Sequence, residues 1–173
     1  MHYLNSEKNF IFKPLNIPDS DLPKYIQGYN MPRTKDMLLQ WEFVTKVVSL
    51  SEFYWLATTD STGNPHTVPL WGIWYENRMF FDGNPQTKWI RNLKKNPHVV
   101  VHLPSPREVC IIEGQIVILA DNDLSKEQWQ ILDEVHKEKY GKVFGSPYIY
   151  VNPSKILAWD TPDFKHMTRW IFD

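Results

Sequence analysis

The chain of 173 residues holds a single cysteine, Cys110, so no intrachain disulfide exists and a reducing compartment is expected. No apolar run approaches the ~18 residues that a membrane span requires, so no transmembrane segment is expected. The opening MHYLNSEKNFIF lacks the basic-then-apolar order of a secretory signal, which points to the cytoplasm. There is no excess of basic charge either: 19 basic residues face 20 acidic ones. That balance argues against a dedicated nucleic-acid binder, which carries a basic excess or stripe. Internal repeats, low-complexity tracts and linkers are also missing. What is present in quantity is aromatic side chains, with 8 Trp, 8 Tyr and 9 Phe. They build either a large aromatic core or a surface that packs a planar ligand or a second copy of the chain.

Residues 1–33 carry Pro14, Pro18, Pro23 and Pro32 without a sustained period and are expected to form an irregular arm. Residues 34–173 are expected to form one domain. Met37, Leu38, Trp41, Val44, Val47 and Val48 recur at helical spacing and predict a helix over Thr34–Leu50. A β region follows, with strands predicted over Phe53–Thr59, Pro65–Tyr75, Arg78–Asp82, His98–Leu103 and Val109–Leu119. Lys155–Trp159 and Thr168–Phe172 read as a closing pair. Two helices interrupt the strands, Lys88–Lys95 and Leu124–Tyr140. The second has a buried stripe of Leu124, Trp129, Leu132 and Val135, His136 and Lys137 on its solvated face, and Gly141 as its stop. Many short strands with few, peripheral helices predict a small antiparallel barrel of mainly β (α+β) class.

Two segments carry candidate chemistry. In Pro65–Tyr75, Val68, Leu70 and Trp74 face one way while Thr67, Trp71 and Ile73 face the other. Pro69 cannot donate a ladder hydrogen bond, so it marks an edge or bulge, and Gly72 permits close backbone approach. Backbone freed from a ladder suits a planar heterocycle whose edge is read by main-chain groups; a ligand-free barrel bend explains it equally well. In the second segment, Asp82-Gly-Asn-Pro-Gln opens the helix that begins Thr87-Lys88. A helix start favours a phosphate, with Thr87 and Lys88 beside it. The alternative is a solvated basic face carrying Lys88, Arg91 and Lys95.

Together the two segments suit the ring and phosphate ends of one mononucleotide. The run YWLATTDSTGNPHTVPLWGIWYENRMFFDGNPQTKWIRNLKKNPHVVVHL, with VCIIEGQIVIL and the terminal TRWIFD, resembles the pyridoxamine 5′-phosphate oxidase-like FMN-binding split-barrel family. The resemblance covers roughly residues 37–173. It implies a six-stranded antiparallel split β-barrel with peripheral helices, and a homodimer with FMN at the subunit interface. It further implies flavin contacts along His66, Thr67, Val68, Pro69, Leu70 and Trp71, with Phe81, Asp82 and Gly83 beside the ring. Thr87 and Lys88 then hold the phosphate, while Trp89, Arg169 and Trp170 shape the pocket, partly from the partner subunit. The enzyme that names the family carries Arg and Lys where this chain has His66 and Trp71. It also has a hydroxyl residue opposite Asp82 and a second basic residue opposite Thr87. These departures leave fewer phosphate cations and point to a distinct branch.

The expected function is an FMN-dependent oxidoreductase acting on a small-molecule substrate, with no side chain required as acid or base. Two alternatives stay open: an F420-dependent reductase, and a non-catalytic flavin-binding or interaction module. No metal site is expected, since His98 and His102 stand ~13 Å apart along their strand. Cys110, mid-strand among Val and Ile, reads as a buried inert thiol.

Overall fold

The computed structural model of the chain describes residues 12–13, 15–120, 122–143, 145, 148–160 and 163–172. The first eleven residues of the expected arm, with Pro14, Asp121 and the terminal Asp173, lie outside the described residues. Eight strands and three α-helices are present among the described residues. The strands are β1 (Tyr54–Thr59), β2 (Pro65–Leu70), β3 (Ile73–Tyr75), β4 (Arg78–Asp82), β5 (His98–His102), β6 (Val109–Ile118), β7 (Tyr148–Trp159) and β8 (Thr168–Ile171). The helices are α1 (Trp41–Leu50), α2 (Lys88–Leu93) and α3 (Lys126–Tyr140).

All strand pairs are antiparallel, in the order β2-β1-β5-β6-β7-β4-β3, with β8 also on β7. The two ends of that order, β2 and β3, are consecutive in the chain and separated only by Trp71 and Gly72. The sheet therefore curls until its edges meet at this two-residue crossing, which is a split β-barrel.

The seven segments read as strands become eight, against the six of the expected barrel, because one of them splits, and a second is longer than expected. The predicted strand Pro65–Tyr75 leaves β1 after Leu70 and joins β4 at Ile73, because one straight strand cannot serve both edges. The predicted strand Lys155–Trp159 starts earlier, at Tyr148; Pro153 concealed the first half because proline inside a run argues against a strand. Pro153 is tolerated at a β-bulge, where Ser154 is the extra residue opposite the Glu113–Gly114 step. A Cβ on Gly114 would lie 2.3 Å from the Asn152 carbonyl oxygen, so only glycine fits there. The bend splits the partners of β7 on its outer side: β4 takes Tyr148–Val151 and β8 takes Lys155–Ala158.

β4 is buried on both faces because it divides two cores. Met79 and Phe81 point into the barrel with Val44, Leu56, Ile112, Ile156 and Trp170. Phe80 points outward into a second cluster with Ile73, Leu119, Leu132 and Tyr148, roofed by α3. The β3–β4 hairpin turns on Glu76 and Asn77, both at positive φ (48° and 61°), the signature of a two-residue type I′ turn. α3 starts with a capping box: Gln128 N–H donates to the Ser125 hydroxyl and Ser125 N–H donates to the Gln128 side chain. It ends at Gly141 in the left-handed region. His136 corrects one expectation: it is buried, with Nδ1 at 2.5 Å from the Lys142 carbonyl. The predicted helix Thr34–Leu50 is a 3-10 turn over Lys35–Met37 followed by α1, which leaves Leu39 N–H free to bond Thr168 Oγ1 at 2.8 Å.

Candidate functional site at the barrel's open edge

The alternation of β2 divides its residues between two environments. His66, Val68 and Leu70 are half-buried, and Val68 and Leu70 pack on the barrel core. Pro65, Thr67 and Pro69 are exposed on the other face. β2 pairs only with β1, so its outer row of N–H and C=O groups is not engaged by a second strand. Pro69 sits on this edge, where a missing donor costs least.

Gly72 brings the two predicted segments together. A Cβ there would meet Met79 Cε at 2.6 Å, the Phe80 carbonyl oxygen at 2.7 Å and the Phe81 ring at 2.8 Å. The end of β2 thus lies directly against the end of β4. Trp71, 50% exposed, stacks on Tyr140 with centroids 5.1 Å apart and planes 5° apart. Phe81 is fully buried, and Gly83 is required by Trp89, whose ring would stand 2.2 Å from an added Cβ. Asp82 does not face the helix start: its Oδ2 accepts the Gly145 N–H at 3.1 Å.

α2 buries Trp89, Ile90, Asn92 and Leu93, and exposes Lys88, Arg91, Lys94 and Lys95. Asn92 donates to Thr58 Oγ1 at 3.0 Å, and the nearby Asn96 donates to Thr59 Oγ1 at 2.6 Å, tying the helix to the end of β1. The Thr87 hydroxyl donates to the Asn84 carbonyl at 2.8 Å, so it must turn from that carbonyl to donate to a phosphate. Lys88 has no carboxylate within ion-pairing distance among the described residues.

Arg169 and Trp170 take opposite faces of β8. Trp170 is 1% exposed and packs edge-on against Trp41 in the barrel core. Arg169 faces outward, ion-paired with Asp21, whose carboxyl its guanidinium holds below the usual carboxylate range. The Arg169 Nε is buried with no hydrogen-bond partner. Register places Pro69, Trp55, His102, Ile111, Leu157 and Arg169 in one cross-strand row. A second row runs Thr67, Ala57, Val100, Glu113, Lys155, Ile171. Five strand spacings of ~4.8 Å put Pro69 and Arg169 roughly 24 Å apart along the sheet, so one chain does not bring them to the same ligand.

The centre of this outer face is apolar: Trp55, Ala57, Val100, Val109, Ile111, Leu157 and Trp159 are half-buried and belong to neither core. These residues lie outside the site expected from the sequence, although the alternation of Tyr54 and Leu56 with Trp55 and Ala57 carries the signal. Where β1, β2 and β5 begin or end, the face deepens into a cavity of about 370 Å³ lined by Thr58, Thr59, Pro65, Asn96, His98 and Gly114, among others. Among the described residues no cluster of three metal-ligating side chains occurs, and no helix is long and apolar enough to cross a membrane. Burial pushes the Cys110 thiol well above its ordinary range, which removes it as a nucleophile.

The antiparallel sheet whose two edges meet at Trp71–Gly72 defines the class: a split β-barrel. The chain belongs to the pyridoxamine 5′-phosphate oxidase family, whose sequence profile matches residues 41–162. Among solved structures it is similar to a conserved hypothetical protein of Mycobacterium tuberculosis, at 16% identity and a TM-score of 0.62. That match covers 75% of this chain and 90% of the other. General Stress Protein 26 from Bacillus anthracis matches at 21% identity and a TM-score of 0.53, over 69% and 93% of the two chains. An F420 reductase matches at 18% identity and a TM-score of 0.50, over 76% and 98%. No curated protein matches the sequence.

Proposed function

We propose that this chain is a cytoplasmic FMN-binding oxidoreductase that works as a homodimer, each flavin lying in a groove to which both subunits contribute. The observation that carries this reading is the continuous outer face. It leads from the exposed side of β2, across an apolar centre, to Arg169 on the far strand. Two such faces packed about a two-fold axis bury the apolar centre and bring the partner's Arg169 towards β2.

The residues present fit an FMN. The free edge of β2 offers main-chain donors and acceptors to the ring, with Trp71 as a flat wall beside it. Lys88 is exposed, and Asp82, which would repel a phosphate, is turned to Gly145 instead. The buried Arg169 Nε lacks a partner that an anionic or carbonyl oxygen would supply. When bound, the flavin supplies the redox chemistry; the chain binds it, orients it and excludes water. His66 and Trp71, standing where the enzyme that names the family has cations, separate this protein from pyridoxamine phosphate oxidation.

Purified protein should be yellow, or take up FMN on titration, and should run as a dimer. The paired change Thr87→Ala with Lys88→Ala should weaken FMN at least tenfold, or about 1.4 kcal/mol. Colourless protein that ignores added FMN would remove the proposal. The exposed cations of α2 give F420, with its longer acidic tail, a second reading; F420 binding tighter than FMN in the same titration would establish it.

A further inference from the structure

We propose that Lys139 and Tyr140, in the last turn of α3, are positioning residues that hold the Trp71–Gly72 crossing in its flavin-reading shape. The proposal rests on the flavin reading above, and it concerns residues outside the predicted site.

The crossing is the one place where the sheet's two edges join, and it has no ladder of its own. Gly72 belongs to neither β2 nor β3, so its backbone groups need partners from elsewhere. α3 supplies them. The Tyr140 hydroxyl accepts the Gly72 N–H at 3.2 Å and stands 2.8 Å from the Gly72 carbonyl oxygen. Lys139 Nζ donates to that same carbonyl at 3.1 Å and to the Tyr54 hydroxyl at 2.7 Å. Tyr54 in turn donates to the Val48 carbonyl at 2.6 Å, which anchors the chain of bonds in α1. The Tyr140 ring meanwhile stacks under Trp71. Both main-chain groups of Gly72 and the side chain before it are therefore set by two consecutive residues of one helix.

Lys139 has its amine among Tyr54, Tyr140 and the Gly72 carbonyl, and burial pulls its pKa down to about 8. No carboxylate lies within ion-pairing distance of it among the described residues. The titratable groups nearby are Tyr54 of β1, Tyr140 with the His136 ring 4.8 Å from its own, Lys142 over the Trp71 ring, Glu138, which shares the lining of the neighbouring cavity, and Glu52, which acts on Tyr140. Loss of the proton removes the desolvation cost while the amine still donates to Gly72, so it favours the closed crossing over one that exposes Lys139.

The test uses the full chain with FMN as probe. Tyr140→Phe removes one oxygen and keeps the stacked ring, so the fold is retained; Lys139→Met keeps the length without the charge. Each should speed amide hydrogen exchange at Gly72 at least tenfold while the β5–β6 ladder is unchanged. Each should also weaken FMN binding about fivefold or more. In the unaltered protein FMN affinity should rise as pH climbs through about 8, because deprotonation favours the closed crossing, and Lys139→Met should abolish that step. Variants that bind FMN as the parent does, whatever Gly72 exchange shows, would overturn the positioning role alone. A parent protein that binds no FMN would overturn the flavin reading and this role with it.

Discussion

Trp170 and Trp55 stand on opposite walls of the same barrel, and comparing their surroundings separates what stabilises the protomer from what the protomer offers to others. Trp170 is enclosed by α1 and the inward residues of the strands, with Trp41 and Phe172 around it. Trp55 lies half-buried on the outer face beside Val100, Ile111 and Leu157, outside both cores. The aromatic excess thus serves both purposes left open by composition: much of it fills the barrel, and part of it forms a face with a polar rim of His98, Gln115 and the Glu113–Lys155 pair at 2.6 Å.

The largest expected effect breaks the inner wall. Trp170→Ala should cost about 3–5 kcal/mol in chemical denaturation, since a large cavity opens in a packed core. Trp55→Ala should cost the folded protomer only about 1 kcal/mol. Equal losses would erase the distinction between the two walls. Next, Ile111→Asp with Leu157→Asp places charges at the centre of the outer face. The pair should weaken self-association about a hundredfold by sedimentation, with the far-ultraviolet spectrum unchanged. A dimer that survives this change would move the interface elsewhere.

The smallest effect is a pH dependence. The folded-state pKa of Lys139 is lowered to about 8 from 10.5, so between those values the unfolded chain holds the extra proton and stability rises with pH. Tyr54 and Cys110 act in the opposite sense, since burial raises both pKa values and their contributions are lost as pH climbs above 10.0 and 9.0 respectively. Thermal melts between pH 8 and 9 should therefore show a gain in the parent that Lys139→Met flattens. A flat parent profile would contradict the burial of that amine.

Much of this architecture is legible in the residues themselves. Glu76-Asn77 between Tyr75 and Arg78 announces a tight hairpin, and Gly141 marks the end of α3, whose start lies at the Ser125 cap and not at Leu124. Other features depend on distant partners. Trp71 and Gly72 read as strand because nothing local shows that the chain must change edges there. His136 sits on a helix face that is polar by composition, yet it is buried with its Nδ1 against the Lys142 carbonyl just past α3. For the site, the sequence brought out β2 and the start of α2, whose residue order carries the family pattern. It did not bring out Lys139, Tyr140 or the outer face, because these matter only through the way α3 docks and the strands register.

The central claim is that each flavin groove draws on two chains, and subunit mixing tests it most directly. Arg169→Ala and the Thr87→Ala, Lys88→Ala pair should each bind FMN poorly alone. Unfolded, mixed and refolded together, roughly half of the dimers carry one chain of each kind, and one of their two grooves is then intact. FMN fluorescence should report recovered binding in the mixture at a concentration where neither parent variant binds. A mixture that binds no more than the average of the two would contradict the shared site.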